Sequence, residues 1–569
     1  MEETPQVKPT GRFAALRRAG PGLACSALSG FLLFLSFPPP DLGPLAFVAL
    51  APLFFAVARS ASYARAALYG AVAGVVACLP AFAWVASVTV GGWVVLALYV
   101  ALYSVAGAVG VRYAQRNAPL WWPVAAALLW TALEFARARL GPGFPWLFVG
   151  YTQYRFDSLL QAAAVGGVYA VSFVVVLVNA GLASAADGLM RWRANDGARP
   201  LRRGAVVLAL SLLVLGGACV AGAAAARNLR IRRGPVVGVV QQNIPRRVEE
   251  IVTASATDRE LGERMEAEVR KAAELSRRLE GSGTRLVVWP ETTVGVALNV
   301  RPALFNVSVY RDVAAFTTVT LRELGHKLDA YLLVGAPSYV TSAGEYIREP
   351  VYGPDVTGFA NSAVLFSPQG EFLRRYDKIR LVPFGEYIPL RDLLPFLQKL
   401  TPLGRQLTAG REGVVFQLPP RGEGEPLGAA ALICYEDVFP DLVRSFRRAG
   451  ADFMVNLTDE GWYDIPGELR QHLAMAVFRA VETRTTVVRA ANTGISCFIG
   501  PTGRIYARLQ PLTEGFLSAP LRLSDERTPY VRWGDAFALA CAVLTVALPL
   551  GAFIRRRTAG AAKSREEGA

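Results

Sequence analysis

The stretch ALICYEDVFP, residues 431–440, leads an apolar run into a cysteine and then into two acidic residues. Pro440 suits the first turn of a helix, and Gly450 suits its C-terminal end. The stretch therefore predicts a buried strand that ends at Cys434 and is followed by a helix, as in an α/β fold. A buried structural thiol is the plainer interpretation of one cysteine, and a nucleophile is the alternative.

Similar apolar runs on both sides of this stretch predict further strands of the same fold. They are PVVGVVQQNI (235–244), TRLVVWPE (284–291), AYLLVGAPSYV (330–340), ADFMVNLT (451–458) and TTVVRAANTGISCFIG (485–500). Glu260–Leu279 has the pattern of an amphipathic helix, and SPQGEFLRRYDK (367–378) predicts a hairpin that closes on Gln-Gly. Strands that alternate with helices predict an α/β sandwich. Residues 292–330 are interpreted as a mobile arm over the site.

Two other polar residues stand at predicted strand ends, where α/β sheets gather their functional groups. Glu291 ends the strand in VVWPET, and Lys378 follows the hairpin. A helix N-terminus and a nearby ammonium would lower the pKa of the Cys434 thiol from about 8.5, and Glu291 could take its proton. The plainer alternatives are a surface charge for Lys378 and a helix cap for Glu291.

Composition indicates a membrane protein. The chain of 569 residues is 53% hydrophobic and 18% charged, with a mean hydropathy of +0.32. Eight segments are candidate spans, two of them within one long uncharged run: Ala19–Pro40, Leu42–Ala58, Ala66–Val111 (two passes), Asn117–Leu133, Ser158–Ala186, Gly204–Ala226 and Ala536–Ile554. A cleaved signal peptide is the alternative for the first segment, but a second apolar run follows it at once.

Basic residues cluster in alternate loops of this predicted bundle. The loops on one side hold only Arg137, Arg139 and Arg155. The loops and ends on the other side are rich in basic residues: Lys8, Arg12, Arg17, Arg18, Arg59, Arg65, Arg112, Arg116, Arg191, Arg193, Arg199, Arg202, Arg203, Arg555–Arg557, Lys563 and Arg565. The positive-inside rule then places both termini in the cytoplasm. We expect a membrane bundle at 1–226, an outer catalytic domain at 227–534, and a last span with a basic tail at 535–569. The net charge of +15 is thus explained by topology and not by nucleic-acid binding.

Few residues are available for metal or histidine chemistry. The six cysteines form no CxxC pair, which argues against a zinc site or a disulfide framework. Only two histidines occur, and His472 is interpreted as structural hydrogen bonding, with a second catalytic base as the alternative.

Eight stretches in order resemble the apolipoprotein N-acyltransferase family, whose outer domain is similar to the nitrilase superfamily. They are FPPPDLGPLAFVALAPL (37–53), GFPWLFVGYTQ (143–153), GGVYAVSFVVVLVNA (166–180), QQNIP (241–245), VVWPET (287–292), YDKIRLVPFGEYIP (376–389), ICYED (433–437) and QHLAMAVFRAVETRTTVVRAANTGIS (471–496). The resemblance implies a membrane α-helical bundle of about eight spans plus a periplasmic, nitrilase-like αββα sandwich in the bacterial inner membrane.

The resemblance also implies a mechanism. Glu291 is the base, Cys434 the nucleophile that takes an acyl chain from a phospholipid, and Lys378 the cation that stabilises the oxyanion. The chain then passes to the α-amino group of an S-diacylglyceryl cysteine at a lipoprotein N-terminus. Glu386, Tyr435 and Glu436 match supporting positions. No metal or soluble cofactor is implied, and we expect a monomer.

Three further expectations concern the edges of the site. Phe144, Pro145 and Trp146 are interpreted as an interfacial aromatic anchor, or alternatively as a guide for acyl chains toward the thiol. Asp459 stands where the family often has an asparagine, so its side chain has no amide to donate. Glu250 stands near the place of a usual aromatic, so we expect the lipid contact of that loop to differ.

Two competing functions are open at this point. A membrane-tethered amidase would use the same three residues, with water in place of the amine, but it would not need seven spans beside its site. A transporter with an inactive outer domain would carry charges or broken helices within its spans, and the spans here are nearly free of charge.

Overall fold

The computed structural model describes residues 11–245, 257–342, 345–349, 356–389, 391, 406–422, 424–462 and 466–547. The first part, up to Asn228, is helical. Its α-helices are α1 Gly11–Ser36, α2 Ala46–Ala49, α3 Ala51–Ala58, α4 Tyr63–Ala81, α5 Val90–Asn117, α6 Trp122–Arg139, α7 Asp157–Leu160, α8 Ala163–Arg193 and α9 Arg199–Asn228.

Four helices in the described ranges are long and apolar enough to cross a membrane: α4, α5, α8 and α9. Shorter apolar helices lie at Gly20–Ser36, Gly43–Ala58 and Ala536–Ala547. The predicted second segment forms short helical pieces because Pro44 and Pro52 each stand in a first turn, where proline starts a helix but cannot continue one. The predicted membrane bundle is confirmed as a set of apolar helices. The chain beyond Ala547 lies outside the described residues.

Two six-stranded sheets follow the helices. The first has the order β12-β1-β2-β3-β4-β5 and the second β11-β10-β9-β8-β7-β6. The strands are β1 Arg232–Gln241, β2 Thr284–Val288, β3 Tyr331–Thr341, β4 Val356–Phe366, β5 Phe372–Asp377, β6 Val415–Leu418, β7 Leu427–Ile433, β8 Phe453–Thr458, β9 Thr486–Ala491, β10 Cys497–Ile499, β11 Ile505–Arg508 and β12 Gly515–Leu523.

Parallel pairs form the middle of each sheet, and antiparallel strands form the edges. β1, β2 and β3 are mutually parallel in the first sheet, as are β7, β8 and β9 in the second. Their runs of valine, leucine and alanine are buried on both faces, which is the pattern of a covered parallel sheet. β4 is antiparallel to both β3 and β5, so β5 points the same way as β2 and β3.

Helices cover the outer face of each sheet. α10 Asp258–Arg277 and α11 Ser308–Leu328 pack on the first sheet, and α12 Pro440–Arg448 and α13 Pro466–Thr483 pack on the second. The two sheets share an apolar core between them, so the layers are helix, sheet, sheet and helix, as predicted. α14 Pro529–Trp533 and α15 Ala536–Ala547 lead back toward the bundle.

The segment 292–330 does not form the predicted mobile arm. It contains α11, whose Val313, Leu321 and Leu324 are buried in one cluster with residues of α10 and of the first sheet. Burial of three large aliphatic side chains fixes a helix in place, since each contributes about 1.5–3 kcal/mol. The arm interpretation is therefore wrong for this helix.

The sandwich also packs directly against the membrane helices. α13 contacts α8, and their apolar side chains belong to one continuous cluster that includes Leu473, Val477, Val168 and Val171. α13 thus lies between the second sheet and the bundle, and it connects the two parts of the molecule.

Candidate active site

Three strands bring the predicted reactive residues to one edge of the sandwich. β7 ends at Ile433, one residue before Cys434, and β5 ends one residue before Lys378. Glu291 follows the end of β2 by three residues. The charges of Glu291 and Lys378 both act on the Cys434 thiol, so the structure brings the three groups together.

Lys378 lies in a buried, acidic setting. Its side chain is 1% exposed, and its Nζ lies 3.1 Å from Glu291 Oε1 and 2.8 Å from Glu386 Oε1. Burial acts to lower the pKa of Lys378, but the two carboxylates outweigh it and raise that pKa well above its ordinary value. The lysine is therefore a fixed cation, and Glu386 holds it in place beside Glu291.

Glu291 accepts hydrogen bonds on both carboxylate oxygens. Oε1 accepts from Asn361 Nδ2 at 2.7 Å and from Lys378, and Oε2 accepts from the Asp459 backbone N–H at 2.9 Å. Burial raises the pKa of Glu291 in spite of the lysine beside it. A raised pKa makes this carboxylate a stronger base than an exposed glutamate, which suits proton abstraction from a thiol.

Cys434 has a constrained backbone. Its φ is +50°, in the left-handed region that a residue with a side chain rarely adopts, and it opens a short 3₁₀ helix, Cys434–Val438. The side chain is partly exposed. Strained residues of this type gather at active sites.

The predicted lowering of the thiol pKa is wrong. Burial, followed by the charge of Glu291, raises the pKa of Cys434 well above its ordinary value, and the charge of Lys378 only partly opposes this. Helix α12 begins at Pro440, beyond the 3₁₀ turn, so its N-terminus does not directly follow the thiol. The resting thiol is therefore protonated, and the chemistry needs a base.

Glu436 connects the turn Cys434–Val438, called the nucleophile turn below, to the end of β5 next to Lys378. Its Oε2 accepts from the Ile433 N–H at 2.8 Å. Its Oε1 accepts from three donors on the other side: Tyr376 Oη at 2.7 Å, Ile379 N at 2.7 Å and Arg380 N at 3.1 Å. Burial raises the pKa of Glu436 to about 7. Four donors therefore meet the two oxygens of Glu436 and tie the two segments together.

The predicted aromatic segment lies next to the site. Trp146 is 3% exposed, and its ring is stacked with that of Tyr435, with centroids 6.3 Å apart. The ring of Phe144 is also stacked with that of Trp146, with centroids 6.1 Å apart. Pro145, which lies between these two residues in the sequence, is buried. An interfacial anchor is the wrong interpretation for Trp146, because its ring is enclosed by protein. Its role in guiding acyl chains stays a prediction.

The two departures from the family pattern have different outcomes. The Asp459 carboxylate accepts from Asn492 Nδ2 at 2.9 Å and from the Gly461 N–H at 3.0 Å, while its own backbone N–H donates to Glu291. The backbone contact with the base therefore does not depend on an amide side chain at this position. Glu250 lies outside the described residues.

Sequence reasoning missed Asn361 and a charged cluster behind the nucleophile. Asn361 Nδ2 donates to Glu291 at 2.7 Å and lies 3.3 Å from Glu386 Oε1. A single asparagine within a strand does not by itself indicate a functional residue. The cluster joins His472, whose structural hydrogen bonding was predicted, to Asp437, Glu460 and Arg489, which are 12 to 35 positions from the histidine along the chain.

Replacing Lys378 by arginine is expected to lower the rate of acyl transfer by about 10²–10³-fold, the usual effect of losing an oxyanion donor. The larger planar guanidinium cannot occupy a pocket built for a compact ammonium between two carboxylates. Lys327→Arg, on the exposed face of α11, is the matched control. The rate of acylation at Cys434, followed by intact-protein mass spectrometry, measures both, and equal rates for the two variants would contradict the role of Lys378.

Two family models match this chain. The model of the apolipoprotein N-acyltransferase N-terminal domain matches residues 29–181, and the carbon-nitrogen hydrolase model matches residues 237–528. An apolipoprotein N-acyltransferase of Geobacter metallireducens is 33% identical over 93% of this chain and 95% of its own. Apolipoprotein N-acyltransferase 1 of Treponema pallidum is 31% identical over 93% and 96%.

Among solved structures, the chain is similar to Nit3 of Saccharomyces cerevisiae, a member of the nitrilase superfamily. The identity is 20%, the TM-score is 0.35, and the match covers 51% of this chain and 91% of Nit3. An amidase from Nesterenkonia is 18% identical with a TM-score of 0.35, over 55% and 97% of the two chains. The whole-length likeness to the curated relatives is the decisive finding. The chain belongs to the apolipoprotein N-acyltransferase family.

Proposed function

We propose that this protein transfers an acyl chain from a phospholipid, through a thioester on Cys434, to the N-terminal α-amino group of an S-diacylglyceryl cysteine in a lipoprotein. The sandwich, at about residues 227–534, faces the periplasm, and both termini face the cytoplasm. The bundle at 1–226 and a last span within 535–569 hold it in the inner membrane. The protein acts as a monomer.

One observation carries the proposal: the nucleophile turn meets the membrane bundle directly. Trp146 lies in the segment that joins α6 to α7 in the bundle, and its ring stacks with that of Tyr435, the residue after Cys434. A reactive thiol at the junction with membrane helices can reach an acyl chain that stays in the lipid layer. A hydrolase of soluble amides gains nothing from this placement.

In the first step Glu291 takes the thiol proton as the Cys434 sulfur attacks the sn-1 ester carbonyl. The oxyanion of the tetrahedral intermediate is stabilised by the Lys378 ammonium and by a backbone N–H near the nucleophile. The carbon–oxygen bond then breaks. The lysophospholipid leaves with the proton that Glu291 returns, and the acyl chain stays on sulfur as a thioester.

In the second step the neutral α-amine of the lipoprotein attacks the thioester carbonyl. A carbon–nitrogen bond forms, the carbon–sulfur bond breaks, and Glu291 carries the amine proton to the departing thiolate. The step is downhill because an amide is more stable than a thioester. Each turnover restores the thiol and the carboxylate, so the two substrates are the only reactants.

Acyl transfer and amide hydrolysis are separated by the products. Membrane-purified protein is incubated with phospholipid and a synthetic diacylated lipopeptide, and in parallel with primary amides. We expect equal amounts of lysophospholipid and N-acylated lipopeptide. Ammonia release from the amides, with no acylated lipopeptide, would establish the amidase instead. Free fatty acid without N-acylation would equally contradict transfer.

A further inference from the structure

A buried charge network lies behind the nucleophile turn. His472 Nε2 lies 2.6 Å from Asp437 Oδ1, and His472 Nδ1 lies 2.7 Å from Glu460 Oε1. Arg489 binds the same two carboxylates, with Nη1 2.7 Å from Asp437 Oδ2 and Nη2 2.7 Å from Glu460 Oε1. None of these four residues is more than 1% exposed. The mechanism above uses none of them.

The contacts define the protonation of His472. An ionised carboxylate can only accept a hydrogen bond, so a ring with a carboxylate on each nitrogen must donate from both. Burial acts to lower the pKa of His472, but Asp437 outweighs it, and the pKa rises to about 10. A third carboxylate, Glu468, lies 3.6 Å from Nδ1, and burial raises its pKa to about 8. His472 is therefore an imidazolium at neutral pH.

The network reaches the nucleophile through two short paths. Asp437 belongs to the same 3₁₀ turn as Cys434, and Asn456 Nδ2 donates both to the Asp437 carboxylate and to the Cys434 carbonyl, the latter at 3.3 Å. The charge of Glu460 also acts on the Cys434 thiol. The left-handed backbone at Cys434 is strained, and strain persists only where the surroundings hold it.

The neighbour of this histidine fixes the same helix to the membrane bundle. Gln471 Oε1 accepts from Trp146 Nε1 at 2.8 Å and from Trp84 Nε1 at 3.2 Å, and its Nε2 donates to the carbonyls of Pro38 and Ala81. The first turns of α13 therefore have one fixed position relative to the bundle. Gln471 thus holds this helix against the membrane bundle, while the adjacent His472 binds Asp437 in the turn that begins at Cys434.

We propose that His472 is a positioning residue for the thioester step, a permanently charged imidazolium that holds the Cys434 turn through Asp437 and Asn456. It also supplies a countercharge for Asp437 and Glu460, so that these carboxylates oppose ionisation of the thiol less strongly. This inference deepens the proposed function and rests on it for the identity of the step. It assigns His472 no contact with the substrate and no proton transfer.

His472→Gln in the full-length membrane protein tests the proposal. A glutamine has one donor end and one acceptor end, so it leaves one carboxylate facing an oxygen. We expect kcat for lysophospholipid release to fall at least tenfold, with KM within about threefold. The pH midpoint of Cys434 alkylation by iodoacetamide, measured by peptide mass spectrometry, should rise because two carboxylates near the thiol lose a countercharge. His326→Gln, at an exposed position of α11, should change neither value.

The double variant His472→Gln with Asp437→Asn distinguishes positioning from simple loss of folding. The new amide at position 437 can donate to the glutamine oxygen and still accept from Arg489 and Asn456. We expect it to recover most of the kcat and to bring the alkylation midpoint back toward that of the natural protein. A single variant that is folded, fully active and unshifted would overturn the proposal. So would a loss that follows thermal unfolding alone and is not recovered in the double variant.

The alkylation measurement needs no lipid. If the natural protein forms no acyl-enzyme, the proposed function fails. The midpoint shift still decides whether His472 controls the thiol.

Discussion

Replacing Glu291 by glutamine is expected to stop thioester formation while making the thiol easier to ionise. The amide cannot take a proton, so acylation of Cys434 should fall by about 10²–10⁴-fold, the usual contribution of a general base. At the same time the negative charge that raises the pKa of Cys434 is gone, and Lys378 remains as a cation beside it. The alkylation midpoint should therefore move to lower pH.

The two opposite changes make this a sharp test. Acyl-enzyme is measured by intact-protein mass spectrometry, and the alkylation midpoint by iodoacetamide labelling across a pH series. Glu263→Gln, at an exposed position of α10, is the control. A variant that acylates normally would show that another group is the base. A variant whose thiol becomes harder to ionise would show that Glu291 does not act on the sulfur as the structure indicates.

Removing the sulfur is expected to have the largest effect of all. Cys434→Ala leaves nothing to carry the acyl chain, and loss of a catalytic nucleophile lowers turnover by about 10⁴-fold or more. The turn itself should survive, since alanine fits wherever cysteine fits and Glu436 still ties the turn to its neighbours. The variant should therefore be folded, membrane-bound and inactive.

Complementation measures this prediction directly. In cells depleted of their own N-acyltransferase, the natural protein should restore N-acylated lipoproteins, and Cys434→Ala should not. Cys219→Ala, at a partly exposed position of the bundle, should restore them fully. Restoration by Cys434→Ala would assign the nucleophile to a different residue.

Much of the central architecture could be predicted from local sequence. Parallel strands buried on both faces need continuous apolar runs, and β1, β2, β3, β7, β8 and β9 all show them. The hairpin that closes on Gln-Gly and the helix that begins at Pro440 depend on local turn and capping preferences. Residues at the ends of these strands were thus predicted correctly in position.

Three of the four edge strands could not be predicted in this way. β6, β11 and β12 are short or mixed in character, and β12 Gly515–Leu523 contains a proline and mostly half-buried residues. Such strands depend on pairing with a neighbour rather than on their own pattern. The helix α11 was missed for a related reason, because its burial depends on tertiary contacts with α10 and the first sheet.

The electrostatics of the site were also beyond local reasoning. Charge signs along the chain suggested a lowered thiol pKa, but burial reverses the direction. Asn361 and His472 reach the site from distant parts of the sequence, and neither stands in a local pattern of catalytic residues. Desolvation and long-range hydrogen bonds are sums over three-dimensional neighbours.

The central claim is that the Cys434 sulfur carries the acyl chain between the two substrates. The most direct measurement uses phospholipid labelled with an isotope in its sn-1 chain, followed by mass spectrometry of the peptide that contains position 434. We predict that this peptide gains the labelled chain, loses it to hydroxylamine, and loses it to a diacylated lipopeptide whose amine becomes labelled. Label that reaches the lipopeptide while the 434 peptide never carries it would contradict the account.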